Sequence, residues 1–373
     1  MTPSPQGPSP AADRARPTVE PFGNVVRRVV VVMLVAVVLY GAIVLYRGIS
    51  DVSARFRGYA WWTLGAACGL AFANYLLRFL KWEYYLRLLA IRGVPKVESF
   101  LTFLSGFVLT VTPGKIGEVF KSLVLFKTRG VPIEHSAPIV VAERVTDLIG
   151  VIAMISAGSL GFQGGLPWAI AGALVVVALL VVIAWPRLSG GLVRGLRHLP
   201  GAAGRVGARL APRLEAALGD LRQLTTPGRL VWPTLLSTVG WSLEGVGLWV
   251  ILGGFGQRTP VTLAGFFYAT ATLAGALIPL PGGLGVTDKL LEEQLAGLGG
   301  VEPAAATASM LLIRFATLWF AVVVGFAALG LLRMRYPALR ASAERPATPK
   351  RAPGPVPDGG SPGPEADAKN EET

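Results

Sequence analysis

The sequence predicts an all-α polytopic membrane protein: six spanning helices plus two broken, re-entrant helical hairpins arranged as an inverted repeat. Three observations carry this prediction. First, 52% of the 373 residues are hydrophobic and only 15% are charged, where a soluble domain carries about a quarter charged. With a mean hydropathy of +0.55, the chain holds more apolar surface than a soluble core can hide. Second, the stretch TVTPGKIGEVFK (110–121) is echoed in the second half by IPLPGGLGVTDK (278–289). Pro113 matches Pro281, Gly114 matches Gly282, Gly117 matches Gly285 and Lys121 matches Lys289. Third, the arginines gather between the apolar runs, where they orient a membrane chain.

The net charge of +13 would point to nucleic acid in a soluble protein. Here it fits contact with anionic lipid, and no nucleic-acid partner is expected. A single cysteine, Cys68, and two histidines, His135 and His198, exclude a disulfide framework and disfavour a Cys/His metal centre. No cofactor is implied. GGLG (282–285) follows no strand and lacks the Gly-Lys-Ser/Thr ending of a nucleotide-phosphate loop.

A tail at 1–24, rich in Pro, Gly and Ala, and a second at 336–373 are too polar to bury a core and read as disordered. Between them, 25–335 is the membrane domain. Its first span, about 29–46, follows Arg27 and Arg28; with no small-residue cleavage site and a late start, it is expected to be a retained helix, not a signal peptide. Further spans fall at about 59–80, 138–160, 166–185, 230–255 and 305–332, each near the ~20 residues that a crossing needs. Two stretches differ, 97–126 and 261–295: an apolar half, a Pro-Gly break, then a second half. Trp61, Trp62, Trp185 and Trp232 lie near span ends, as an interfacial belt requires.

Orientation decides how the broken stretches count. The linker 187–229 holds eight arginines against Glu215 and Asp220, so it belongs in the cytoplasm. If each broken stretch enters and leaves by one face, there are six crossings, both termini are cytoplasmic, and that linker falls inside. If each were a single crossing, the linker would lie outside. Each half then reads span, hairpin, span: repeat one is 59–160 and repeat two is 230–332, with the linking helix 166–185 between. One odd crossing between two like units inverts the second, the logic by which transporters build a midplane site from broken helices. Proline ends the first half-helix, glycine permits the turn, and freed amides at the next half-helix suit a phosphate. The alternative is that the breaks are plain loops joining ordinary spans. The leucines and arginines of RVGARLAPRLEAAL (205–218) suggest an amphipathic helix on the inner leaflet, or a solvated one.

Charges inside the spans complete the pattern. Glu143, Arg144 and Asp147 lie in the third span, Glu244 in the fifth and Arg314 in the last. The breaks add Lys115, Glu118, Lys121, Asp288 and Lys289, for five basic and five acidic residues in all. A lone charge at the bilayer centre costs about 2.5–3.5 kcal/mol on insertion scales, so such residues face inward and pair. Glu143 and Asp147 share a helix face, and Arg144 can pair with Asp147. Holding helices together is the alternative role for these ions.

PGKIGEVFK, ERVTDLIG, PLPGGLGVTDK and IRFATLW, with NYLLRFLKWEYYL (74–86) before them, together resemble the flippase-like membrane domain named after lysylphosphatidylglycerol synthase. The resemblance spans about 58–332. It implies a membrane protein that moves or binds a lipid, such as an aminoacylated phospholipid or lipid-linked precursor. It carries over Pro113, Gly114, Gly117, Glu118, Glu143, Arg144, Asp147, Pro281, Gly282, Gly283, Gly285 and Arg314. The fused synthases have a soluble aminoacyl-transfer domain where this chain has a tail, so an enzyme activity is not expected. Three roles follow in order: a lipid translocator in the cell membrane; an accessory subunit of lipid- or glycan-biosynthesis enzymes; and an enzyme on lipid phosphates with Glu118 or Glu143 as base. The candidate site set is Pro113, Gly114, Lys115, Gly117, Glu118, Lys121, Glu143, Arg144, Asp147, Glu244, Pro281, Gly282, Gly283, Gly285, Asp288, Lys289 and Arg314. The oligomeric state is not encoded in any of these features.

Overall fold

A computed structural model describes residues 56–112, 118–159, parts of 166–181, 218–278, 280–336 and 339. Among these residues the secondary structure is entirely helical. The helices are α1 (Trp62–Leu88), α2 (Lys96–Ser105), α3 (Phe120–Arg129), α4 (Ile133–Ser159), α5 (Pro227–Gly254), α6 (Val261–Leu277), α7 (Val286–Gly297), α8 (Pro303–Arg314) and α9 (Phe320–Arg335). A 3₁₀ turn, Gly106–Leu109, extends α2, and a π-turn, Phe315–Trp319, joins α8 to α9. The expected first span, most of the arginine linker, the tails and residues 113–117 lie outside the described residues.

Among the described residues, three helical stretches are long and apolar enough to cross a membrane: Trp62–Leu88, Gly228–Gly254 and Pro303–Arg335. Helix α4 has the length, 27 residues, but Glu143, Arg144 and Asp147 interrupt its apolar run. The helix starts follow local chemistry. Pro227 and Pro303 open α5 and α8 at the first helical position, where a missing N–H costs nothing and φ is already set. Gly130 stops α3 in the left-handed conformation, φ 70°, with its N–H on Phe126 O at 2.8 Å.

The legs of the two broken stretches are short. Helices α2 and α3 have 10 residues each, and α6 and α7 have 17 and 12. At 1.5 Å per residue none covers the ~30 Å hydrocarbon core. Each hairpin packs against at least one helix of the other half. Helix α9 lies along α2 and its 3₁₀ turn, while α6 packs on α4 and α5. Gly325 allows the first contact, since a Cβ there would sit 2.6 Å from Val108 N. Lipid tails are as apolar as leucine, so close approach and buried polar bonds, not a hydrophobic force, hold such helices together.

Helix ends meet in two groups. At one, His135 of α4 faces Leu89 O (3.0 Å) and Asp220 Oδ2 (2.9 Å), and Gln223 donates to Leu88 O. Glu98, at the start of α2, accepts from Arg129 and Tyr336 in the same group. At the other, the Ala60 N–H donates to Gly254 O at 3.2 Å, and the end of α4 meets the start of α6, where Gly158 abuts Thr262 and Phe266. Thus α1 is antiparallel to α4 and α5.

One expectation needs correction. The apolar run predicts a second span at about 59–80, yet α1 continues to Leu88 and Lys81 is fully buried. Trp82, Tyr85 and Leu86 are buried with it, so tertiary contacts extend the helix past the end of the apolar run.

Candidate functional site: a charge-lined cavity between the two breaks

A cavity of about 320 Å³ opens among α1, α4, α5, α6 and the α8–α9 turn. Thr110 and Thr112, just before the first break, line it beside Leu280, Gly282 and Gly283 of the second. The end of the first leg reaches the second break: a Cβ on Gly282 would lie 3.6 Å from Val111 Cγ1 and 3.2 Å from Leu318 Cδ2. Gly282, Gly283 and Gly285 take φ of 60°, 65° and 85°, a region other residues enter only with strain. Asp288 Oδ2 accepts the Gly285 N–H at 2.8 Å, capping α7.

The basic end of the cavity is built from α1 and α4. Glu118 Oε2 accepts from Arg78 Nη2 at 3.2 Å and Arg144 Nη2 at 2.9 Å. Asp147 takes three cations. Lys81 Nζ lies 2.6 Å from Oδ1, while Arg144 and Arg78 lie 3.0 and 3.7 Å from Oδ2. Ser237 of α5 also donates to Oδ1, at 2.9 Å. Lys81 does not reach the cavity; it stands behind Asp147 and bonds Thr146 and Ser237 as well. Such pairing is what allows ions to stay in a low-dielectric interior. The Nε donors of Arg78 and Arg144 are buried with no acceptor among the described residues.

A second ion pair is closed to the cavity. Lys121 meets Glu143 at 2.5 Å and sits over the rings of Trp82 (4.7 Å) and Phe103 (5.3 Å), a cation–π arrangement that stabilises a desolvated ammonium. Lys121 and Glu143 therefore brace the first hairpin against α1 and α4.

At the second break Arg314 Nη2 donates to Gly282 O at 2.6 Å, and Nε lies 2.8 Å from Asp288 Oδ1. Arg314 thus ties the broken backbone to the cap of α7. The π-turn follows it directly; such bulges recur at functional sites. Glu244 forms the acidic end, accepting from Asn74 Nδ2 at 2.6 Å and Tyr268 Oη at 2.5 Å. Trp241, one turn earlier on α5, lines the same wall.

The predicted residues therefore divide. Glu118, Arg144, Asp147, Glu244, Gly282, Gly283, Asp288 and Arg314 line or directly support the cavity. Lys121 and Glu143 lie behind it, and Pro281 and Gly285 shape the second break. Pro113, Gly114, Lys115 and Gly117 fall outside the described residues. Lys289 does not join the site: its side chain is 66% exposed and pairs only at the surface with Glu293, 3.5 Å away. One helical residue on from Asp288, it turns to a different face. Sequence reasoning missed Asn74, Arg78, Lys81, Trp241 and Tyr268 as site residues. Two basic residues in the apolar run LLRFLKW were the available signal for Arg78 and Lys81.

Residues 26–325 match the family described as lysylphosphatidylglycerol synthase TM region. A UPF0104 membrane protein of Methanocaldococcus jannaschii is 23% identical over 227 residues, 59% of this chain and 91% of that protein. One of Methanothermobacter thermautotrophicus is 28% identical over 126 residues, 32% of this chain but 37% of that protein's length. With a matched region that takes in every described helix but the end of the last, the chain belongs to the lysylphosphatidylglycerol synthase TM region family of membrane proteins.

Proposed function

We propose that the protein is a carrier, not an enzyme, that moves a lipid with a phosphate-bearing headgroup between leaflets of the cell membrane. The observation that carries this reading is the cavity itself: Thr110 and Thr112 line it beside the glycines of the second break, and Arg78, Arg144 and Arg314 wall it. Arginine suits phosphate because its planar fork donates in pairs. The buried Nε donors of Arg78 and Arg144 are left for an acceptor that the described side chains do not provide.

In this reading six helices span and both hairpins re-enter. The hairpin α2–α3 enters from the face where α1 ends and α4 begins, and α6–α7 enters from the face where α4 and α5 end. Opposed entry makes the halves inverted copies, so that exposing the cavity to one leaflet closes it to the other. The arginine-rich linker places the ends of α1 and α9, and both termini, in the cytoplasm. Membrane lipids are the partners, and a lipid- or glycan-building enzyme would supply or consume the cargo.

The test is transport in vesicles. Purified protein should move fluorescent phospholipid between leaflets, and Arg144→Gln should reduce the rate at least about tenfold, the loss expected when a charge-assisted bond worth about 1.5–3 kcal/mol is removed. Equal rates in protein-containing and protein-free vesicles would end the proposal.

A further inference from the structure

The cavity is polar at both ends, and the ends differ in sign. Arg78 and Arg144 line one, held by Glu118 and Asp147. Glu244 lines the other, beside Trp241 and Tyr268, whose rings lie 6.4 Å apart and tilted by 40°. On α1 the two ends are one turn apart: Asn74 bonds Glu244 and Arg78 bonds Glu118. Four residues of helix rise about 6 Å, so one small headgroup can reach both ends. Leu148 and Val151 of α4 follow Asp147 around the cavity.

Each end selects a chemistry. The guanidinium pair takes an anion. A carboxylate among aromatic faces suits an ammonium group, by charge and by the ring quadrupole. Both Glu244 oxygens accept bonds, from an amide and a phenol, which fixes the carboxylate at the Tyr268 hydroxyl, in the same lining as Trp241. A headgroup with phosphate alone would engage only the guanidinium end, and one with two ammonium groups would bring a second cation toward the arginines.

We propose that the Glu244–Trp241–Tyr268 end is an ammonium subsite, so that the preferred cargo is a zwitterionic headgroup with one phosphate and one ammonium. This rests on the carrier reading and narrows it. The aromatic pair and Glu244 come from α5 and α6 and the arginines from α1 and α4, so selection needs both halves of the chain.

The experiment compares labelled phosphatidylethanolamine, phosphatidylglycerol and N-acetylated phosphatidylethanolamine, with the full chain in vesicles. Acetylation keeps the phosphate and removes the ammonium, so the native protein alone tests the claim. Phosphatidylethanolamine should move about tenfold faster than either other lipid, as expected for the loss of a desolvated charge contact. Glu244→Gln, which can still accept from Asn74, should abolish that preference, bringing phosphatidylethanolamine down to the rates of the other two lipids. Equal rates for the three lipids in the native protein would overturn the subsite and leave the carrier reading standing, as would a Glu244→Gln variant that slows all three alike. Movement of none of them would overturn both.

Discussion

Lys81 shows how much of the site hangs on a side chain that never faces the cavity. Its ammonium, wholly buried, joins Asp147 of α4 to Ser237 of α5 and leaves Asp147 Oδ2 to the arginines. Removing one partner of a buried pair costs roughly 3–5 kcal/mol because the other charge stays desolvated. Lys81→Met should therefore lower the melting temperature in detergent sharply or prevent accumulation of folded protein. Lys289→Met, at an exposed surface pair, should stay within about 0.5 kcal/mol of the native protein. In the sequence Lys81 reads as the end of a span, because an apolar run is counted along the chain while its partners lie 66 and 156 positions away. Gly282 is the opposite case. A Pro-Gly-Gly run announces a backbone break, and its φ of 60° follows. Gly282→Ala costs about 1–2 kcal/mol in that conformation and presses Leu318, so transport should fall more than thermal stability does.

At the scale of elements, the hairpins depend on contacts at their open ends as well as on their breaks. Glu98 joins three pieces: its own helix α2, Arg129 at the end of α3 and Tyr336 after α9. Lys96 and Ser99 bind Glu83 of α1 beside it. Glu98→Ala should loosen this mouth. Hydrogen exchange should quicken at the ends of α3 and α9, and exchange in the middle of α5 should not change. The helices themselves were legible from apolar length and from Pro and Gly placement. Their boundaries were less so: α1 outruns its apolar stretch by eight residues, from 80 to Leu88, because Trp82, Tyr85 and Leu86 find a buried surface. Pro138, where the apolar run predicts the third span to start, lies inside α4, which begins at Ile133.

For the whole molecule, the distribution of arginine and the grouping of helix ends make one joint prediction. In a Cys68→Ser background, a cysteine at exposed Gln223 should react with a membrane-impermeant reagent only from the cytoplasmic side. One at exposed Arg258 should react only from the outside. The reverse pattern, or labelling of both from one side, would contradict the opposed entry of the two hairpins. The same arrangement explains the charge balance. The sequence anticipated five basic and five acidic residues, with Lys115 and Lys289 among the bases. In the folded chain, Arg78 and Lys81 sit among the buried ions while Lys289 faces out.

The sequence by itself determined that this chain lives in a membrane, where its backbone must break, and that its two halves carry like breaks. These are local properties: hydropathy is a sum over neighbours, and proline and glycine act on their own φ and ψ. Only the tertiary structure decided which ions meet, which pair is sealed against Trp82, and that the cavity has a basic and an acidic end. The attraction of two charges in a dry interior depends on separation in space, and the helices that bring Arg78 to Glu118, or Arg314 to Gly282, are remote in the chain.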